Sequence, residues 1–208
     1  MTKLNPVWGI VPAKSLLQGK SRLRPVLGDE ERARFAQRLL EHVLGVLGSC
    51  ELAGVLVATG GDDVAAIASA RGAGVLRDQG ERTLAGIVDR ALAEVAARGA
   101  QSAVVLMADL PRIEPPDVRA LLDALSDHDV ALVRDHLGHH TNALAMAPPS
   151  AMPTCFGRED SFEAHRRAAR TAGLRTVVVE SERIAFDVDL PADHERLRLM
   201  GRRAASGT

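Results

Sequence analysis

The strongest constraint on this chain is the recurrence of short, nearly uninterrupted apolar runs, each giving way to a longer segment with apolar residues at helical spacing. "VWGIVPA" (7–13), "LAGVLVAT" (52–59), "AVVLMAD" (103–109) and "DVALVRD" (129–135) are the clearest runs, and "AGVLRD" (73–78) is a briefer one. Strands buried on both faces read this way because neither direction of side chain meets water. Between them, "DEERARFAQRLLEHVLGVLG" (29–48) carries acids in its first turn and sets Phe35, Leu39, Val43 and Leu47 on one face. "DDVAAIASA" (62–70) reads as a short helix, another helix starts near Arg82, and "PPDVRALLDALS" opens on prolines, where a missing N–H does least harm. This alternation predicts an α/β fold: a single domain with a mostly parallel central sheet and helices on both faces. The 208 residues suit one such domain, and no linker, tandem repeat or low-complexity tract divides them. Residues 200–208 are expected to form a flexible tail.

With 26 basic and 27 acidic residues, the chain has no overall field that would favour nucleic acid or an anionic membrane. A lone Trp8 and scattered phenylalanines offer no platform for stacking bases. No apolar stretch approaches a membrane-spanning length, and "MTKLNPVWG" lacks the apolar body of a signal peptide, so the expected location is the cytoplasm. Cys50 and Cys155 are too few for a dense disulfide framework or a cysteine-rich zinc site. Any anion-binding site must therefore be local.

One local candidate is the loop "AKSLLQGKSRLRP" (13–25), in which Lys14, Lys20, Arg22 and Arg24 follow the first strand without an intervening acid. Cations at the open end of a sheet can hold a polyphosphate, lysine as a point charge and arginine as a directional donor. Gly19-Lys20-Ser21 keeps only the tail of the P-loop pattern, so a P-loop fold is not expected. Asp109 ends the run "AVVLMAD", beyond the carboxyl end of a strand, where ligands of open α/β sheets collect. It could equally cap the following turn or helix. In "IAFDVDLPADHERLRL" (184–199), Asp187 and Asp189 flank Val188, which places both carboxylates on one side of an extended segment. With Asp109 they form a plausible oxygen-ligand set for Mg²⁺ beside substrate phosphates. The alternative is that Asp189 or Asp193 caps the last helix. His136, His139 and His140 in "DHLGHH" raise a second metal option, zinc, without a second ligand cluster to complete it.

The pieces "PAKSLLQGKSRL", "MADLP", "HTNALAMAPP", "FGREDSFEAH" and "FDVDLPADHERL", in this order over residues 7–199, resemble the 2-phospho-L-lactate and phosphoenolpyruvate guanylyltransferases of coenzyme F420 biosynthesis. The chain departs from the family pattern at Thr83, Ala85 and His140, and by one extra residue between Gly157 and Ser161. The resemblance implies a nucleotidyltransferase-type fold and a Mg²⁺-dependent transfer of GMP from GTP to a phosphorylated three-carbon acid, phosphoenolpyruvate foremost, with 2-phospho-L-lactate and 3-phospho-D-glycerate as alternatives. It assigns nucleotide phosphates to Lys14, Lys20, Ser21 and Arg22, with Lys20, Arg22 and Asp109 catalytic, and the metal to Asp109, Asp187 and Asp189. Thr141, Gly157 and Ser161 would hold the acceptor, and His165 would face its pocket. A homodimer is plausible for this fold. A noncatalytic nucleotide- or partner-binding homologue is the competing reading.

Overall fold

The computed structural model describes residues 6–206. Its strands are β1 (Val7–Pro12), β2 (Gly54–Thr59), β3 (Gly74–Arg77), β4 (Ser102–Leu106), β5 (Val130–Arg134), β6 (Thr141–Met146) and β7 (Thr176–Val178). They form one seven-stranded sheet in the order β3-β2-β1-β4-β6-β5-β7. All pairings are parallel except those of β6, which runs antiparallel to both β4 and β5. That reversal brings the start of β6 to the same end of the sheet as the carboxyl ends of β1, β2 and β4.

Alternation along the strands sorts side chains into two cores. Val11, Val57, Val104, Val133 and Ala143 pack with α1 (Asp29–Gly48), α2 (Asp62–Ala70), α4 (Pro115–Asp123) and the short α6 (Glu182–Ala185). Ile10, Leu56, Val105, Leu132 and Leu144 pack on the opposite face with α3 (Leu84–Ala97) and α5 (Ser161–Thr171). The layers are therefore those expected from the apolar runs.

A third, smaller cluster positions the site. Leu23, Phe35, Leu39, Phe186 and Val188 are buried together. The predicted apolar face of α1 is thus divided: Phe35 and Leu39 serve this cluster, while Val43 and Leu47 enter the main core. Leu23 belongs to the basic loop and Val188 to the acid pair. Burying an aliphatic side chain contributes about 1.5–3 kcal/mol, so this packing helps to join the two segments. The 186–189 stretch belongs to no helix or strand, yet Val188 is buried as the alternation predicts. Helix α7 (Pro191–Ser206) adds Leu197 and Met200 to the cluster. Helical backbone thus occupies 200–206, where a flexible tail was expected; 207–208 lie outside the described residues.

Candidate active site

A cleft of about 1030 Å³ opens at the carboxyl ends of β1, β2 and β4. Its walls are the loop after β1, Thr59–Gly61, Met107–Asp109, residues 81–85 at the start of α3, and Thr154–Arg158. The loop after β1 is fixed from two sides. Asp63 Oδ2 accepts from Ser15 Oγ at 3.0 Å and from the Leu16 N–H at 2.8 Å. Gly61 permits this approach, since a Cβ there would fall 2.8 Å from Ser15 Cα. From the other side Arg32, 1% exposed, donates to the Gly19 carbonyl at 2.7 Å.

This anchored loop delivers Lys20 to the acids. Its Nζ lies 2.5 Å from Asp109 Oδ2 and 2.8 Å from Asp189 Oδ1. Asp109, Asp187 and Asp189 each offer an oxygen within 4.8 Å of the others, the one such group of potential metal ligands among the described residues. Burial works against the Lys20 charge, but Asp109 and Asp189 outweigh it and raise its pKa. Burial likewise opposes charge on Asp189, yet Lys20 holds that carboxyl below its ordinary range. Burial and the neighbouring Asp109 charge instead push Asp187 up to about 6. Asp109 Oδ1 is buried without a hydrogen-bond partner. An all-oxygen set containing an orphaned carboxylate oxygen and a second carboxyl short of positive charge fits a hard divalent cation.

Two capping alternatives resolve here. Asp193 Oδ2 accepts from the N–H groups of Asp189 and Leu190, at 3.1 and 2.8 Å, so Asp193 closes the start of α7 while Asp189 faces Lys20. Likewise Glu114 and Asp117 serve the start of α4, leaving Asp109 to the cleft. Asp187 Oδ1 accepts from Asn142 Nδ2 at 3.2 Å, and the same amide donates to the Ile184 and Ala185 carbonyls.

The other expected residues divide. Lys14 is exposed and lines the cleft; Ser21 and Arg22 are exposed outside its lining, with Arg22 Nη1 3.9 Å from Asp189 Oδ2. Gly157 lines the cleft at φ 84°, where an added Cβ would come within 3.2 Å of Leu84 Cβ. Thr141 and Ser161 are buried behind that wall. Ser161 Oγ accepts from the Thr141 N–H, and Thr141 Oγ1 pairs with His165 Nδ1. His165 Nε2 accepts from the Cys155 N–H at 2.7 Å, and burial lowers its pKa to about 4. His165 is therefore a neutral internal brace for the cleft wall, with no face toward the pocket. Nor do the histidines of "DHLGHH" converge: His136 stands between Asp187 and Asp193, while His140 pairs with Asp135. Thr83, one of the departures, caps α3 by accepting from the Gly86 N–H.

Sequence reasoning missed Asp63, Arg32 and Asn142, and considered His136 only as a zinc ligand. Asp63 carries the ordinary signal of a first-turn acid, and Arg32 is one of several charges on α1. Their partners are distant along the chain, so no local pattern distinguishes them.

Over 94% of its length the chain is 39% identical to a phosphoenolpyruvate guanylyltransferase of Rubrobacter xylanophilus, covering 95% of that protein. It is 38% identical to the Chloroflexus aggregans enzyme of the same name, covering 90% and 93% of the two chains. Identity is 33% to a 2-phospho-L-lactate guanylyltransferase of Methanothermobacter thermautotrophicus, covering 92% and 84%. In fold it resembles CMP:2-keto-3-deoxy-manno-octonic acid synthetase solved with CTP, with a TM-score of 0.65, 19% identity and coverage of 96% and 99%. Residues 7–207 match the family described as guanylyl transferase CofC like, and the chain belongs to that family.

Proposed function

We propose that this chain transfers GMP from GTP to a small phosphorylated acid, with phosphoenolpyruvate as the preferred acceptor. The products are enolpyruvyl-2-diphospho-5′-guanosine and pyrophosphate, and the reaction belongs to cytoplasmic coenzyme F420 biosynthesis. The observation that carries this reading is the meeting of Lys20 with Asp109 and Asp189 at the edge of a cleft large enough for a nucleotide. The names of the relatives support the acceptor class. Among the described residues no helix is long and apolar enough to cross a membrane.

The acceptor phosphate is already anionic at neutral pH, so it attacks without a protein nucleophile. Its oxygen forms the new bond to the α-phosphorus of GTP, the bond to the bridging β-oxygen breaks, and pyrophosphate leaves with that electron pair. Lys20 and Lys14 stabilise the crowded phosphate oxygens, with Arg22 and Ser21 at the rim. Asp109, Asp187 and Asp189 would hold Mg²⁺, which when bound supplies further neutralisation of phosphate charge. Gly157 leaves room at the acceptor wall, and Thr141 and Ser161 act on the acceptor by bracing that wall through His165. The Thr83 cap holds the start of α3, which forms part of the cleft wall.

The decisive measurement is pyrophosphate release from GTP with Mg²⁺, without acceptor and then with phosphoenolpyruvate, 2-phospho-L-lactate or 3-phospho-D-glycerate. Release should require an acceptor, and mass analysis should show the phosphoenolpyruvate adduct dominating. Acceptor-independent release, or none with any of the three, would refute guanylyl transfer.

A further inference from the structure

His136 has a job that neither nucleotide nor acceptor assigns. It sits on the hairpin between β5 and β6, where Asp135 Oδ1 accepts from the N–H groups of His139 and His140 at 2.7 and 2.9 Å. The hairpin is therefore tied down, and the His136 ring also rests against Phe186, with centroids 5.8 Å apart. Its Nδ1 stands 3.3 Å from Asp187 Oδ1, and its Nε2 stands 3.3 Å from Asp193 Oδ1. The side chains are shielded, at 21% exposure for His136, 14% for Asp187 and 9% for Asp193. Asp193 in turn fixes the backbone of Asp189 and Leu190. One ring thus connects the carboxylate of Asp187 to the residue that sets the backbone of Asp189.

We infer that His136 is a positioning residue for the acid set: its Nδ1 contact fixes the Asp187 carboxylate by Oδ1, directing Oδ2 toward the cation shared with Asp109 and Asp189. Asn142 donates to the same Oδ1, so two donors hold one oxygen and neither takes the other. A carboxylate free to rotate in this crowd would turn away from Asp109, because the like charges repel. Groups outside the ligand set commonly tune a metal site by such orientation. The inference rests on the reading of the three acids as a cation site.

The test uses Mn²⁺ binding to the full-length, nucleotide-free protein, followed by calorimetry, with circular dichroism as the folding check. In His136→Asn the amide nitrogen falls near the position of Nδ1 and can still reach Asp187; in His136→Gln it falls near Nε2 and reaches only toward Asp193. Affinity should drop about tenfold or more in His136→Leu and His136→Gln, and stay within about threefold of wild type in His136→Asn. Wild-type affinity in the Leu and Gln variants, or equal loss in the Asn variant, overturns the inference. If His136→Leu does not fold, the Asn and Gln variants decide alone. Asp187→Asn separates the two readings: undiminished Mn²⁺ binding there would take Asp187 out of the ligand set, and with it the three-acid reading on which the inference rests.

Discussion

Lys20 combines an unusual backbone with an unusual environment. At φ 54° and ψ 34° it is the one described non-glycine residue with positive φ, a conformation costing about 1–2 kcal/mol for an L-residue. The Gly19 anchor to Arg32 and the two carboxylates at its ammonium hold it there. The same ammonium occupies the charge that a divalent cation would bring, so the two compete until phosphates offer Lys20 another partner. Lys20→Met, which keeps the length and removes the charge, should therefore bind Mn²⁺ more tightly without nucleotide while losing about 100-fold or more in GTP turnover. Weaker Mn²⁺ binding would show that Lys20 supports the cation instead of competing with it. Asp187 supplies the complementary case. Its folded pKa of about 6 lies above the ordinary carboxyl value, so its contribution to stability is present below about pH 4 and lost as pH rises through 6. Metal-free Asp187→Asn should consequently gain on the order of 1–3 kcal/mol over wild type at neutral pH, the gain vanishing in acid. Urea unfolding across this range measures it, and a pH-independent difference would assign the effect to packing.

At the scale of elements, legibility tracked how local the information was. The strands β1 and β2 and helices α1 and α2 follow from apolar period, first-turn acids and glycine boundaries, all contained within each segment. Strand β6 was visible only as the motif "HTNALAMAPP", and β7 spans three residues, too few for a period to emerge. The antiparallel insertion of β6 between β4 and β5 is a pairing between distant segments and leaves no local trace. The site behaves in the same way. Lys20, Asp109, Asp187 and Asp189 could be named because each lies at an element boundary with a recognisable flank. Arg32 and Asp63 could not, since their significance is the backbone of residues 15–19, brought to them by the fold. The hydroxyls of Thr141 and Ser161 illustrate the converse: a residue type suited to a ligand is equally suited to a buried brace, and only burial separates the two.

For the molecule as a whole, a net charge of −1 hides a concentrated arrangement in which the first and last parts of the sequence meet. The joint is the small cluster of Leu23 and Val188 against α1, separate from the two cores that sandwich the sheet. Stability and site geometry should therefore be separable by mutation. Leu23 and Leu121 are both fully buried, the first in the joint and the second on α4 in a main core. Truncating either to alanine removes the same atoms and should cost about 2–5 kcal/mol, according to how far each surrounding relaxes. Only Leu23→Ala removes an apolar contact between the basic loop and the acid segment, so only there should Lys20 lose its register with Asp109 and Asp189. At a temperature where both variants remain folded, Leu23→Ala should lower kcat/KM for GTP at least about tenfold below Leu121→Ala, since displacements of about an ångström can cost two orders of magnitude in rate. Equal activity at matched stability would mean that the ion pairs and the Arg32 anchor suffice to hold the loop, and that the cluster contributes to stability alone.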